Sequence, residues 1–351
     1  MIAHDCPPSR PHPRLEVQIQ WGWGCDLLLP LEGGRTFGPG CIGAKEVGVT
    51  SLPLMKSRAY RRDHTLLEYG CPEACPTSSP RREHMPDYKV SVGNVEIVSL
   101  TDGQGDIDAV ATFPDSTLDI WRKEYGDLLD RAGQFHPRFG CVAVRSSGRL
   151  IIVDTGYNGP GGKLLEDMRA KGIAPEAVAI VFATHLHPDH VGWHMTGGKP
   201  TFPKARYLVP KADWDHFTKP VYLKGNPHVQ EKVMSLKALN ILDLISGEYK
   251  ITSELTAVPT PGHTPGHTSI AILSAGKKGF ILGDVSHTPA QVHYADWSPT
   301  FDTDRVQSRK TRHKVFDMLE KDEATVSAGH YPGTGLGRLV RHAGRRSWQP
   351  L

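Results

Sequence analysis

A chain of 351 residues with 38% apolar residues, 23% charged residues and a net charge of +3 has enough material for a packed core and the balance of an ordinary globular protein. That balance gives no general case for nucleic acid as a partner. No apolar run is long enough to span a bilayer, and the first thirty residues lack the basic start and apolar stretch of a signal peptide, so a cytoplasmic protein without a membrane partner is expected.

Residues 1–84 differ in texture from the rest. Pro7, Pro8, Pro11 and Pro13 stiffen the start, glycines punctuate 33–43, and Arg61, Arg62, Arg81 and Arg82 form basic doublets without a sustained period. A poorly ordered extension is the simplest expectation, or a misassigned start with Met85 as the working initiator, leaving 85–351 as the functional domain. Cys6, Cys25, Cys41, Cys71 and Cys75 all lie in this stretch and only Cys141 lies beyond, so the later region cannot depend on internal disulfides. Cys71 and Cys75 have no second pair at matching spacing and read as incidental thiols, not as half of a zinc site.

From Tyr88 to Leu100 two alternating strand patterns flank the turn Gly93-Asn94. Cys141 to Val144 and Leu150 to Val153 form another pair around a turn at Ser146 to Gly148. Asp154-Thr155-Gly156 ends that pair either as a plain turn or, beside a metal, as an acceptor for a ligand histidine's second N–H. Lys163 to Arg169 reads as a surface helix, and the apolar run Val178 to Ala183 reads as a buried strand.

Directly behind that strand stands Thr184-His185-Leu186-His187-Pro188-Asp189-His190, three imidazoles and a carboxylate in six residues. Side chains alternate on an extended backbone, so His185 and His187 point to one side and can grip one ion. Pro188 ends the strand, and Asp189 suits the start of a helix beginning near Val191. Two adjacent ion sites follow, one for the first two histidines and one for the Asp-His pair.

Ala205 to Val209 is a short strand, and Lys211 to Phe217 opens a helix with Trp214 and Phe217 on its core face. His216 and His228 read as non-ligands. In Thr260 to Thr268 two Pro-Gly steps hold His263 on a rigid loop, where it completes a three-histidine site with an open position. His267 braces the loop. Gly279 to Leu282 is a strand ending in Gly283-Asp284, a carboxylate placed to bridge two ions. Asp304 to Lys321 is an amphipathic helix burying Val306, Val315, Phe316 and Leu319, and the strand Ala324 to Ser327 leads to His330. Arg338, Arg341, Arg345 and Arg346 read as a solvated basic tail.

Together these motifs resemble the metallo-β-lactamase fold hydrolases over about residues 87–345. The resemblance implies an α/β protein of αββα sandwich form, with His185, His187 and His263 on one metal, Asp189, His190 and His330 on a second, and Asp284 between them. It implies two divalent ions, zinc foremost, and catalytic roles for Asp189 and Asp284, and His287 is expected to join them as a hydrogen-bond donor to the substrate oxygen, a role it loses if its free nitrogen faces the substrate. Position 187 is His where the oxygen-reducing diiron branch has Glu, and Asp284 is a residue that true β-lactamases lack. Trp193, Phe202 to Ala205, Lys211 to Asp213 and the terminal Trp348-Gln349-Pro350 resemble the methyl parathion hydrolase and lactonase-like group. Where the best-known acyl-homoserine lactonases carry Tyr, three positions after the bridging Asp, this chain has His287.

The implied reaction is hydrolysis of a small-molecule lactone, aryl ester or phosphotriester by a metal-bridging hydroxide, in a monomer or a homodimer. Trp193 and His287 are the expected pocket residues, Trp193 either walling the cleft or packing in the core. On their account aryl esters and phosphotriesters are expected to outrun long-chain acyl-homoserine lactones. Rival readings are an acyl-homoserine lactonase, a thioester hydrolase of glyoxalase II type and a non-catalytic metal-binding protein.

Overall fold

The computed structural model describes residues 88–351 and two short strands, Glu16–Gln20 and Asp26–Pro30, that pair with each other. The expectations for the extension and its five cysteines lie outside the described residues.

Seven strands form a first sheet in strict chain order: β1 (Lys89–Val92), β2 (Val95–Gln104), β3 (Arg138–Ser146), β4 (Arg149–Val153), β5 (Ile180–Phe182), β6 (Arg206–Pro210) and β7 (Leu242–Ile245). Seven more, again in chain order, form a second: β8 (Tyr249–Lys250), β9 (Leu255–Pro259), β10 (Thr268–Ser274), β11 (Lys277–Ile281), β12 (Thr325–Ser327), β13 (Leu336–His342) and β14 (Arg345–Pro350). Strands β1 to β4 run antiparallel, with tight turns joining β1 to β2 and β3 to β4 and residues 105–137 joining β2 to β3. Strands β4 to β7 run parallel, as do β11 and β12, and parallel neighbours need crossovers. Helices α2 (Leu164–Ala170), α4 (Lys211–Phe217) and α5 (Arg305–Lys321) lie in three of these crossovers, whereas α1 (Leu118–Tyr125) belongs to a side lobe.

Alternation along the strands sorts the layers. Val142, Val144, Ile151 and Val153 meet Leu255, Ile270, Ile272 and Ile281 of the other sheet in a shared core. One register off, Cys141, Ala143, Leu150 and Ile152 pack with Leu164 and Met168 of α2. On the far side Phe280, Leu282 and Val326 cover Val315, Phe316 and Leu319 of α5. The order is therefore helix, sheet, sheet, helix, with each fully buried Leu, Ile or Phe contributing about 1.5–3 kcal/mol of burial.

The structure departs from expectation at several elements. Val306 is 61% exposed, because the inward face of α5 runs through Ser308, Thr311, Arg312, Val315, Phe316 and Leu319, and Val306 stands two residues off that row. The helix expected near Val191 instead begins at Pro188 and spans one turn, α3 (Pro188–Val191), so Asp189 and His190 lie inside it. Proline's fixed φ and missing N–H suit the first helical position. The basic residues expected in a tail sit on the paired strands β13 and β14, where Arg346 bonds Asp317 and Glu320. A side lobe went unread in the sequence: Ile107–Asp108 pairs with Gln134–Phe135, and Phe113, Trp121 and Phe135 pack with Trp297. Among the described residues no helix is long and apolar enough to cross a membrane.

Candidate metal centre

Every residue of the expected ligand set lies in the segment that follows a strand, along one edge of the sandwich, with Asp189 and His190 in the single turn of α3. Thr184 to His190 follow β5, His263 lies in the loop from β9 to β10, Asp284 follows β11 and His330 follows β12. Burial of β5 on both faces fixes where that loop starts, and the extended backbone at His187 turns its ring to the same side as His185.

Two triads result. His185 Nε2, His187 Nδ1 and His263 Nε2 stand 2.9–3.2 Å apart. Asp189, His190 and His330 form the second, with Asp189 Oδ2 at 3.5 Å from His190 Nε2 and 3.6 Å from His330 Nε2. Asp284 Oδ2 lies between them, 3.3 Å from both His190 Nε2 and His263 Nε2, 3.1 Å from His330 Nε2 and 3.7 Å from His185 Nε2. His287 Nε2 joins the same carboxylate oxygen at 3.2 Å. Its ring stacks on His330 and meets Phe301 edge-on, at centroid distances of 5.5 and 5.1 Å.

A buried imidazole needs its outward nitrogen satisfied so that the inward one presents a lone pair. Asp154 Oδ2 lies 2.9 Å from His190 Nδ1, and Asp302 Oδ1 lies 2.9 Å from His263 Nδ1. The backbone carbonyl of Arg138 lies 2.7 Å from His330 Nδ1. His185 Nδ1 reaches Thr184 Oγ1 at 3.0 Å, and that hydroxyl donates to Asp154 Oδ2 at 2.9 Å. Asp302, Arg138, Thr184 and Asp213 were not singled out from sequence as parts of the site. Thr184 adjoins a ligand, but Asp302 lies 39 residues from the ring it orients, in a segment without periodic pattern.

His267 holds the loop as expected. Its Nε2 accepts the Asp284 backbone N–H at 2.8 Å, while Nδ1 faces Thr260. This approach demands glycine at 283, where φ is +57° and a Cβ would stand 2.6 Å from His267 Nε2. Trp193 donates its indole N–H to Asp102 at 2.8 Å and packs against the core under the first sheet. His216 stacks on Tyr222, and His228 Nε2 meets the Leu186 carbonyl at 2.9 Å.

Burial first, and then the neighbouring imidazoles, pushes His185 and His187 well below the ordinary histidine range, leaving both neutral. Burial works to raise Asp284, yet His190, His330, His287 and His185 together hold its carboxyl well below the usual range. Asp189 Oδ2, His190 Nε2, Asp284 Oδ1 and both ring nitrogens of His287 are buried without a hydrogen-bond partner. Such atoms are costly unless something completes them, and imidazole and carboxylate converging from several loops are the donors a divalent ion takes. Each triad, and Asp284 with His185 and His190, brings its ligand atoms within 4.8 Å of one another.

The fold and this edge-of-sheet cluster agree with family comparison: residues 141–330 match the metallo-beta-lactamase superfamily, and the chain belongs to it. Among individual relatives, the N-acyl homoserine lactonase AttM of Rhizobium radiobacter is 28% identical over 174 residues, 48% of this chain and 64% of its own length. An N-acyl homoserine lactonase of Bacillus sp is 24% identical over 230 residues, 58% of this chain and 83% of its own. The match to AttM thus spans less than two thirds of that relative. Among solved structures, the hydrolase AbOPH of the beta-lactamase superfamily aligns with a TM-score of 0.70 and 25% identity over 76% of this chain and 97% of its own. AidC, a dizinc quorum-quenching lactonase, shares the fold with a TM-score of 0.66 and 24% identity over 75% of this chain and 96% of its own.

Proposed function

We propose that this protein is a dinuclear metal-dependent hydrolase that opens lactones, with N-acyl homoserine lactones as the leading substrate class. The observation that carries the reading is the pair of buried triads sharing Asp284. His185, His187 and His263 would hold one ion, Asp189, His190 and His330 the other, and Asp284 would serve both. Two such ions, zinc foremost, supply carbonyl polarisation and a water whose pKa falls from about 15.7 towards about 7.

The chain's own part is to present lone pairs and exclude competing hydrogen bonds. Asp154, Asp302 and the Arg138 carbonyl each take the outward N–H of one imidazole, so Nε2 faces inward as acceptor. Burial brings the His287 imidazole down to about 4, which leaves it neutral with a single N–H. Its Nε2 stands 3.2 Å from Asp284 Oδ2 without forming a hydrogen bond, so the neutral ring lines the shared carboxylate with both nitrogens uncommitted. Asp284 supplies the negative charge at the centre of the cluster.

The similarity to N-acyl homoserine lactonases moves the substrate preference away from the aryl esters and phosphotriesters expected from Trp193 and His287. The anchoring of Trp193 by Asp102 supports the same shift, since its polar edge is committed to the protein. The test combines metal analysis of freshly purified protein with kcat/KM for short and long N-acyl homoserine lactones, simple lactones, aryl esters and phosphotriesters. Two equivalents of metal and a lactone at the head of the series are expected. A phosphotriester or aryl ester turned over tenfold better than every lactone would overturn the substrate assignment, and less than two equivalents at saturating metal would overturn the dinuclear one.

A further inference from the structure

Leu186 separates two proposed ligands, His185 and His187, and both of its peptide groups are pinned from outside the ligand set. Its N–H donates to Asp213 Oδ2 at 3.1 Å, and its carbonyl meets His228 Nε2 at 2.9 Å. Asp213 stands in the first turn of α4, fully buried, with no cation in hydrogen-bond contact. The same carboxylate reaches the other ligand loop: Oδ2 accepts from Thr264 Oγ1 at 2.9 Å and Oδ1 from Gly266 N–H at 2.6 Å. Glycine is required at 266, because a Cβ there would lie 2.3 Å from the Asp213 backbone nitrogen and 2.8 Å from Oδ1. One side chain therefore joins the loop after β5 to the loop after β9, the two loops that bring His185, His187 and His263 together. No hydrogen bond links Asp213 to Asp189, His190 or His330. The nearby Phe217 ring, also on α4, packs edge-on against His187 at 5.8 Å.

We infer that Asp213 is a positioning residue for the first triad: it sets the spacing between the His185–His187 loop and the His263 loop, and so the affinity of that site alone. The inference rests on the dinuclear reading given above. Burying a carboxylate is costly, and three hydrogen bonds to two separate loops are what this one gains in return. Asn at 213 keeps the size but turns an N–H toward a donor, either Gly266 or the Leu186–Thr264 pair, and opens the junction on one side.

The experiment is an equilibrium zinc titration against a chromophoric chelator, with His263→Ala and His330→Ala assigning the two binding steps to the two triads. Asp213→Asn is expected to weaken first-triad binding by about tenfold or more while second-triad affinity stays within about twofold, the size of effect usual for groups that orient metal ligands. Thr264→Val removes one of the three bonds and is expected to give a smaller loss in the same step. Unchanged first-triad affinity in Asp213→Asn overturns the inference. Equal weakening of both steps does too, since that marks a general structural role. If Asp213→Asn does not fold, Thr264→Val decides by the same criteria. A wild type that binds fewer than two ions overturns the dinuclear reading itself, an outcome separate from these.

Discussion

Replacing Asp154 by Asn exchanges one oxygen for an NH2 group at nearly constant volume, and the surrounding hydrogen bonds state what that exchange does. Asp154 Oδ1 accepts the Thr184 N–H at 2.7 Å, and Oδ2 faces both Thr184 Oγ1 and His190 Nδ1 at 2.9 Å. An Asn whose oxygen stays on the Thr184 N–H must aim its NH2 at His190 Nδ1. That nitrogen becomes an acceptor, and the ring proton moves to Nε2, the atom facing Asp284. The Thr184 hydroxyl also loses its acceptor, which frees it to donate to His185 Nδ1, so the second imidazole follows the first. One substitution thus turns two lone pairs, one in each triad, into N–H groups. A hydrogen bond to a charged group contributes about 1.5–3 kcal/mol, and loss of an orienting partner costs about 10–100-fold in metal affinity per ligand. Both steps of a zinc titration are expected to weaken by about 10–100-fold, with the ring nitrogens read by NMR as Nε2–H in the metal-free protein at a pH where the His190 imidazole, which burial works to lower but Asp284, Asp189 and Asp154 hold above its ordinary range, has become neutral. Wild-type affinity at both steps, or retention of Nδ1–H on His190, would refute this account of how the tautomers are set.

Asp284→Asn removes the negative charge shared by the two triads, so the second ion should bind less tightly and turnover should fall by about two orders of magnitude or more; full activity with undiminished metal content would refute the role. A chain beginning at Met85 keeps every proposed ligand and both seven-stranded sheets, and it is expected to fold and bind two ions; an insoluble or metal-free product would assign the preceding residues to the core or to a subunit interface. Burial raises the Asp213 carboxyl to about 6 from an ordinary 3.8, outweighing its three hydrogen bonds. Because the folded value is the higher one, the metal-free fold holds this proton more tightly than the unfolded chain and loses stability as pH rises from about 4 through about 6. The unfolding free energy of wild type relative to Asp213→Asn should therefore fall across that window by up to about 3 kcal/mol, and a flat difference in denaturant titrations would contradict it.

What could be read in advance was whatever repeats locally. The apolar run before Thr184, the His-Leu-His alternation and the Gly-Asp step at a strand end each announce a ligand within a few residues, and the structure gathers all seven proposed ligands at one edge. The orienting shell was less accessible. Asp154 carried a signal because it ends a strand next to the motif, but Asp302 and the Arg138 carbonyl reach their imidazoles only through tertiary packing. Asp213 was visible only as part of a short family-like step and not as a junction between loops. Val306 shows a related limit: an apolar residue on a helix marks a buried face only when it shares the row of its neighbours, and this one does not. The lobe around Trp121 escaped because its strands are two residues long and its aromatics come from distant segments, Phe113 and Phe135 on one side and Trp297 on the other.

The strict chain order of the two sheets means that the polypeptide can be divided once, at the Ser246-Gly247-Glu248 turn, without cutting either sheet. Such a cut leaves His185, His187, Asp189 and His190 on one piece and His263, Asp284 and His330 on the other, and neither piece retains a complete triad. The proposed ions would then act as a clasp between two separable halves, alongside the apolar faces that Val142 and Ile151 turn toward Ile270 and Ile281. Complementary fragments ending and starting at that turn should associate more tightly with zinc than with a chelator, which would turn the scaffold into a split reporter of free metal.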